Sequence, residues 1–164
     1  MKKIRYISLY LWARNHYNQG MEKVGTIVHL DSFTLVGKTF KKDLIGDNYI
    51  SEGWSEIERS LPLLMEACEK GNFTPSLYGI AFDDNTYFAG LKILVFTKVL
   101  PGSFTLYRVE EGTYYRYPYL ESYELTKEKA LREIKEQGYE VVGPIMEHEV
   151  DDEADIYFPI IMKS

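Results

Sequence analysis

Ser32-Phe33-Thr34-Leu35 recurs as Ser103-Phe104-Thr105-Leu106, a step of 71 residues (103 − 32) in a chain of 164. A four-residue match gains weight because the order of features after each copy is also the same. Each copy is followed by a glycine, then a run with helical periodicity, then two extended apolar runs. A repeat of half a chain constrains the fold to two similar units facing one another across a cleft. Concave sites form preferentially between such halves.

The first unit starts near Thr26 and runs to residue 100, with an extended, β-rich stretch from Thr26 to Gly37. Lys38 to Gly53 reads as a polar loop, with Gly46-Asp47-Asn48 as turn chemistry. Ser55 and Glu58 have capping-box spacing, which starts a helix there. Ile57, Leu61, Leu64, Met65 and Cys68 then follow the helical period. Pro62 lacks an N–H and is expected to kink or divide this helix, and Gly71-Asn72 ends it. Leu77–Phe82 and Tyr87–Leu100 are strands around an Asp83-Asp84-Asn85 turn, and Pro101-Gly102 joins the units.

The second unit, residues 103–163, repeats the plan. Phe104–Val109 is a strand, and Tyr114–Tyr119 carries four tyrosines with Pro118, which bars it from a central sheet position. Thr126 caps a helix to Gln137 with Ala130, Leu131 and Ile134 as its stripe, and Gly138 closes it. Val141–Val150 and Ile156–Met162 are the last strands, turning at Asp151-Asp152-Glu153. The fold class is α+β: two pseudo-symmetric strand–helix–strand–strand units, an antiparallel sheet backed by two helices, with a ligand cleft. Residues 1–25 stand outside the repeat as an N-terminal extension.

Charge narrows the function. The formal net charge is −6, which argues against direct nucleic-acid binding, since phosphate contacts need Lys and Arg. Residues 109–155 hold five Lys/Arg against fourteen Asp/Glu, a balance that attracts cations where the side chains are not simply solvated. The single cysteine, Cys68, excludes an internal disulfide framework and a cysteine metal site, reads as a small buried apolar residue, and fits a cytoplasmic setting. Met1–Ala13 has the basic start of a secretion signal. Its apolar stretch is too short, however, and Arg14-Asn15-His16 interrupts it without a small-residue cleavage site. No run reaches the ~18 apolar residues of a membrane span. The histidines lack metal-ligand spacing, and no phosphate loop, nucleophile elbow or dinucleotide fingerprint occurs, so no cofactor or metal is expected.

The most informative local stretch is Gly143-Pro144-Ile145-Met146-Glu147-His148-Glu149-Val150. Strand alternation puts Ile145, Glu147 and Glu149 on one face and Met146, His148 and Val150 on the other. Two carboxylates on one face repel. Beside an apolar cleft, one of them has a raised pKa or waits for a cation; at a solvated face the pair means nothing. The chain carries fourteen Tyr, two Trp and eight Phe, and aromatic faces attract cations. Tyr157, Trp54, Tyr115, Tyr117 and Tyr119 are candidate wall residues, with ordinary core and edge packing as the alternative.

With Tyr78-Gly79-Ile80 and Asp83-Asp84, Val109-Glu110-Glu111-Gly112-Thr113-Tyr114, Gly138-Tyr139, Met146-Glu147 and Ile156-Tyr157-Phe158-Pro159-Ile160, residues 26–163 resemble the GyrI-like family. These are the effector-binding domains of AraC-type and MerR-type regulators. The resemblance implies a hydrophobic cleft with a buried glutamate for cationic lipophilic ligands, by position Glu147, and Tyr157 as a wall residue. Some stand-alone members resemble hydrolases that open cyclopropane-type natural products with such a glutamate and a tyrosine, here Glu147 and Tyr157. Others resemble inhibitors of DNA gyrase. The family's Glu-x-Tyr is Glu147-His148-Glu149 in this chain, which weakens the hydrolase reading and adds acidity. With no helix-turn-helix read ahead of the domain, DNA binding is not implied. The resulting expectation is a stand-alone small-molecule sensor or sequestrant. A Glu147 hydrolase and a gyrase-inhibitor-like module that binds a protein partner are the alternatives.

Overall fold

The structure, a computed structural model, describes residues 25–67, 73–93, 102–150 and 153–164. The expectations for residues 1–24, Cys68, Gly71-Asn72, residues 94–101 and Asp151-Asp152 therefore lie outside the described residues. Described in chain order are β1 (Thr26–Leu30), β2 (Phe33–Lys41), α1 (Lys42–Ile45), α2 (Tyr49–Ala67), β3 (Phe73–Ala81), β4 (Thr86–Ile93) and β5 (Thr105–Val109). Then follow β6 (Gly112–Pro118), α3 (Tyr123–Glu136), β7 (Tyr139–Val141), β8 (Ile145–Val150) and β9 (Glu153–Met162). The fold is α+β with antiparallel strand pairing, as expected.

The chain divides into two compact units. The first comprises residues 31–111, and the second joins residues 112–164 to the segment that ends at Leu30. In the first unit the strand order is β3-β4-β2-β5, and α2 packs on β2 and β4. In the second it is β1-β6-β9-β8, with β7 also on β9, and α3 packs on β6 and β7. Each unit therefore contains one strand–helix–strand–strand set: β2, α2, β3, β4 and β6, α3, β8, β9. Each also carries one edge strand from the other half of the sequence, since β5 joins β2 and β1 joins β6. The halves expected from the repeat differ from these units by that exchange.

The exchange changes the meaning of the repeated tetrapeptide. Equivalent elements are β1 with β5 and β2 with β6, and their first residues stand 79 apart (105 − 26 and 112 − 33). The tetrapeptide step is 71, so its copies open non-equivalent elements, β2 and β5, which pair with each other (Leu35 with Tyr107, Thr34 with Arg108). A hydroxyl–apolar alternation suits the start of any strand, so it recurs without marking equivalence.

Register aligns the units row by row. In the first unit Lys38, Ala89 and Gly79 lie in one row across β2, β4 and β3; in the second Tyr117, Ile156 and Glu147 lie across β6, β9 and β8. The next row on the same face is Phe40, Tyr87 and Ala81 in the first unit. In the second it is Tyr119, whose N–H donates to the Ala154 carbonyl at 3.1 Å, then Ala154 and Glu149. The helices agree. Gly53 and Ile57 of α2 are buried as Ala130 and Ile134 of α3 are. Glu56 pairs with Lys38, while Glu133 meets the equivalent Tyr117.

Several local expectations are corrected. The supposed loop 38–53 contains the end of β2, α1 and the start of α2. Helix α2 begins at Tyr49, so Ser55 and Glu58 are interior positions and Trp54 lies within the helix; Glu52 N–H already bonds the Asn48 carbonyl at 2.9 Å. Pro62 does not divide α2, which continues to Ala67. For α3 the cap is Ser122, whose Oγ accepts from Leu125 N–H at 3.1 Å. Thr126 is a buried interior residue whose Oγ1 donates to the Ser122 carbonyl at 2.7 Å and accepts from Leu120 N–H at 2.9 Å. Leu131 is exposed rather than part of the buried stripe. Strand β6 has neighbours on both sides, β1 and β9. Pro118 permits this because it is the strand's last residue, past Arg116, where the β1 pairing ends opposite Thr26.

Candidate functional site

Directly opposed residues of an antiparallel pair share a face. Glu147 opposes Ile156 and Glu149 opposes Ala154, while Tyr117 opposes Ile156 and Tyr115 opposes Phe158. The two glutamates therefore stand on the face that α3 covers, with Tyr115, Tyr117, Ala154, Ile156, Phe158, Ala130 and Ile134 forming its core. Alternation along β8 predicts that the carboxylates share a face, and the register shows which face it is.

Glu147 is half-buried by accessible surface. Protein atoms nonetheless crowd it, and lost hydration, followed by the charge of Glu149, pushes its carboxyl up to about 7. Tyr119 is its aromatic neighbour in electrostatic reach. Burial raises the Tyr119 phenol well above its ordinary value, Glu147 raises it further, and a hydrogen bond from the Tyr123 backbone at the start of α3 pulls the other way.

The other candidate residues are placed differently. Tyr157 opposes Met146 and Arg116, which puts it on the sheet face away from Glu147. Its ring lies 6.5 Å from that of Tyr114 and 6.2 Å from that of His148. Arg116 and Asp155 form an ion pair on that same face, at 2.6 Å and 2.9 Å. Trp54 belongs to the first unit, where its ring meets Tyr87 edge-on at 6.2 Å.

Tyr115 and Tyr117 share the face of Glu147, but their hydroxyls are engaged by Glu133 of α3. Tyr115 Oη donates to Glu133 Oε2 at 2.6 Å and Tyr117 Oη to Oε1 at 3.1 Å. Gln137 Nε2 donates to Tyr115 Oη at 2.9 Å, and Gly25 N–H reaches Glu133 Oε2 at 3.2 Å. Burial first and Glu133 second push both phenols up to about 12. These tyrosines tie α3 to β6. Sequence reasoning missed Glu133; its only signal is a carboxylate beside the buried stripe position Ile134.

No family model matches the chain, and neither does any curated protein. Solved structures do. The EcmrR C-terminal domain superposes with a TM-score of 0.61 at 13% identity, covering 87% of this chain and 99% of that one. SAV2435, solved bound to tetraphenylphosphonium, gives 0.56 at 13% identity over 84% and 94%. A hydrolase from Listeria innocua gives 0.59 at 12% identity over 90% and 97%. At such identities the likeness establishes a shared fold, and that fold fits the GyrI-like effector-binding domain that the sequence resembles.

Proposed function

We propose, from a fold that fits GyrI-like effector-binding domains, that this chain is a small-molecule-binding domain that takes hydrophobic cations at Glu147. It acts as a sensor or sequestrant of them. The observation that carries the reading is a half-buried carboxylate on a face of tyrosines and aliphatic side chains, where lost hydration raises it to about 7. A cation beside Glu147 replaces the hydration that burial removed and offsets the repulsion from Glu149. The apolar surroundings supply the area that favours a lipophilic ligand over an inorganic ion. The tetraphenylphosphonium held by SAV2435 on the same fold is of that chemical class, and EcmrR, also solved in a complex with DNA, supports a link to transcription regulation. Among the described residues no helix is long and apolar enough to cross a membrane.

The test is calorimetry with tetraphenylphosphonium and, as a neutral counterpart, triphenylphosphine oxide. The cation is expected to bind at least tenfold more tightly than the neutral compound, and Glu147→Gln to remove that preference. Equal affinities, or a preference unchanged in Glu147→Gln, would refute the reading.

One observation favours a second reading. A carboxylate near 7 suits a general base, and the Listeria innocua hydrolase shares the fold. Tyr119, rather than Tyr157, is then the phenol beside the base. Turnover of an electrophilic cyclopropane compound, lost in both Glu147→Gln and Tyr119→Phe, separates this reading from binding alone.

A further inference from the structure

Three tyrosines follow one another along the face that α3 covers, and α3 meets them in two ways. Tyr115 and Tyr117 give their hydroxyl protons to Glu133. Tyr119 does the reverse, because its hydroxyl oxygen accepts a hydrogen bond from the Tyr123 backbone N–H. Tyr123 is the first residue of α3, and an N–H in the first turn has no partner within the helix. The Tyr119 phenol therefore completes the start of α3, together with Ser122, whose Oγ takes Leu125 N–H.

The backbone holds this phenol on both sides. Tyr119 N–H donates to the Ala154 carbonyl at 3.1 Å, and Leu120 N–H donates to Thr126 Oγ1 at 2.9 Å. Tyr119, Ala154 and Thr126 are all buried. A phenol has one proton to give, and an oxygen that accepts from the positive end of a helix is the stronger donor through it. Two carboxylates act on the Tyr119 hydroxyl, Glu147 first and Glu124 second. Glu124 is exposed and its charge is screened by water, whereas Glu147 is half-buried. Glu147 is thus the acceptor that the proton favours.

We infer that Tyr119 is the positioning residue of the Glu147 site: its hydroxyl, fixed from behind by the first N–H of α3, orients the carboxylate towards an arriving cation and links that arrival to the first turn of α3. The inference deepens the reading of Glu147 as the ligand carboxylate and rests on it. Tyr119 acts through Glu147 and not by touching the ligand.

Two measurements on the full chain test it. The first is calorimetry with tetraphenylphosphonium and triphenylphosphine oxide. Tyr119→Phe, which removes only the hydroxyl, is expected to weaken binding of the cation about tenfold, the size of one hydrogen bond to a charged group, and to leave the neutral compound unchanged. Ser122→Ala removes a different acceptor from the same helical turn and is expected to bind the cation as the parent does. Equal cation affinity in Tyr119→Phe and the parent, or an equal loss in Ser122→Ala, overturns the inference. The second measurement needs no Tyr119 variant, so it decides even if Tyr119→Phe does not fold. Saturating tetraphenylphosphonium draws on the Glu147 charge and weakens the polarised chain of bonds. Protection of the Tyr123 amide from hydrogen exchange is expected to fall about threefold relative to the Leu125 amide in the parent, and to keep its ratio in Glu147→Gln. A Tyr123 amide that follows Leu125 in the parent overturns the link. If the parent shows no preference for the cation, the proposed function and this inference fall together. A preference kept whole in Tyr119→Phe removes the inference alone.

Discussion

A carboxyl group raised to about 7 makes stability depend on pH in a known direction. An unfolded glutamate titrates near ~4.3, so between ~4.3 and the folded value the native state holds a proton that the unfolded chain has released. The contribution of Glu147 is fully present below the unfolded value and is lost as pH rises through about 7. Full conversion of such a shift overstates the effect, because residual exposure screens the charge; about 2 kcal/mol is expected across the window. Urea denaturation across that range is expected to show parent stability falling with pH, and Glu147→Gln removing that part of the slope. Parallel profiles for the two proteins would place Glu147 in solvent. Glu133 is held by hydrogen bonds, as the acceptor for Tyr115 and Tyr117. Glu133→Ala strips two buried phenols of their acceptor and is expected to cost about 3 kcal/mol, with Glu133→Gln costing less; the midpoint of chemical denaturation reads both. At this scale alternation made the shared face of Glu147 and Glu149 legible. It did not give the register between β8 and β9, which decides that Ile156 and not Tyr157 stands opposite Glu147. Glu133 was illegible for a related reason, since its partners come from β1's approach and from β6.

Elements were easier to find than their ends. Periodic apolar residues identify both long helices, because burying Ile57 or Ile134 is worth about 2 kcal/mol each and the stripe must face the sheet. Periodicity does not mark the first turn of a helix, which need not carry a stripe residue. Thr126 stands beside the stripe and reads as the N-cap, yet α3 starts one turn earlier at Ser122. The extra turn from Tyr123 to Leu125 forms because Ser122 satisfies Leu125 N–H, while the Thr126 hydroxyl bonds the Ser122 carbonyl from within. Ser122→Ala is therefore expected to destabilise the protein by about 1 kcal/mol, seen as a lower melting temperature. Thr126→Ala should cost more, since it also leaves Leu120 N–H without its acceptor. Equal stability of parent and Ser122→Ala would return the start of α3 to Thr126. Pro118 shows the same limit from the other side. Its missing N–H excludes pairing only where a partner strand is present, and sequence alone does not say where β1 stops.

At the scale of the whole molecule, the exchanged edge strands decide what depends on what. Strand β1 is followed after only two residues by β2, yet it pairs with β6, from Leu30 with Gly112 (112 − 30 = 82 residues apart) to Thr26 with Arg116 (116 − 26 = 90). A linear reading assigns β1 to the half it precedes, and hydrophobic pattern cannot correct this, because β1 looks like an edge strand in either place. The consequence is measurable by hydrogen exchange. Proline at Ile27 and at Val28 tests adjacent positions of β1. In an antiparallel pair bonded and non-bonded positions alternate, so one of the two removes an N–H directed at β6. That variant is expected to speed exchange of the β6 amides, and then of α3, whose Glu133 holds Gly25, Tyr115 and Tyr117. Amides of β2, β3 and β4 should keep their protection, because the first unit draws its edge strand from β5 instead. If the loss appears first in β2, β1 is an extension of its sequence neighbour and the exchange is wrong. If protection falls together everywhere, the compact units do not open separately, and a ligand in the second unit would then stabilise the whole chain as a single cooperative body.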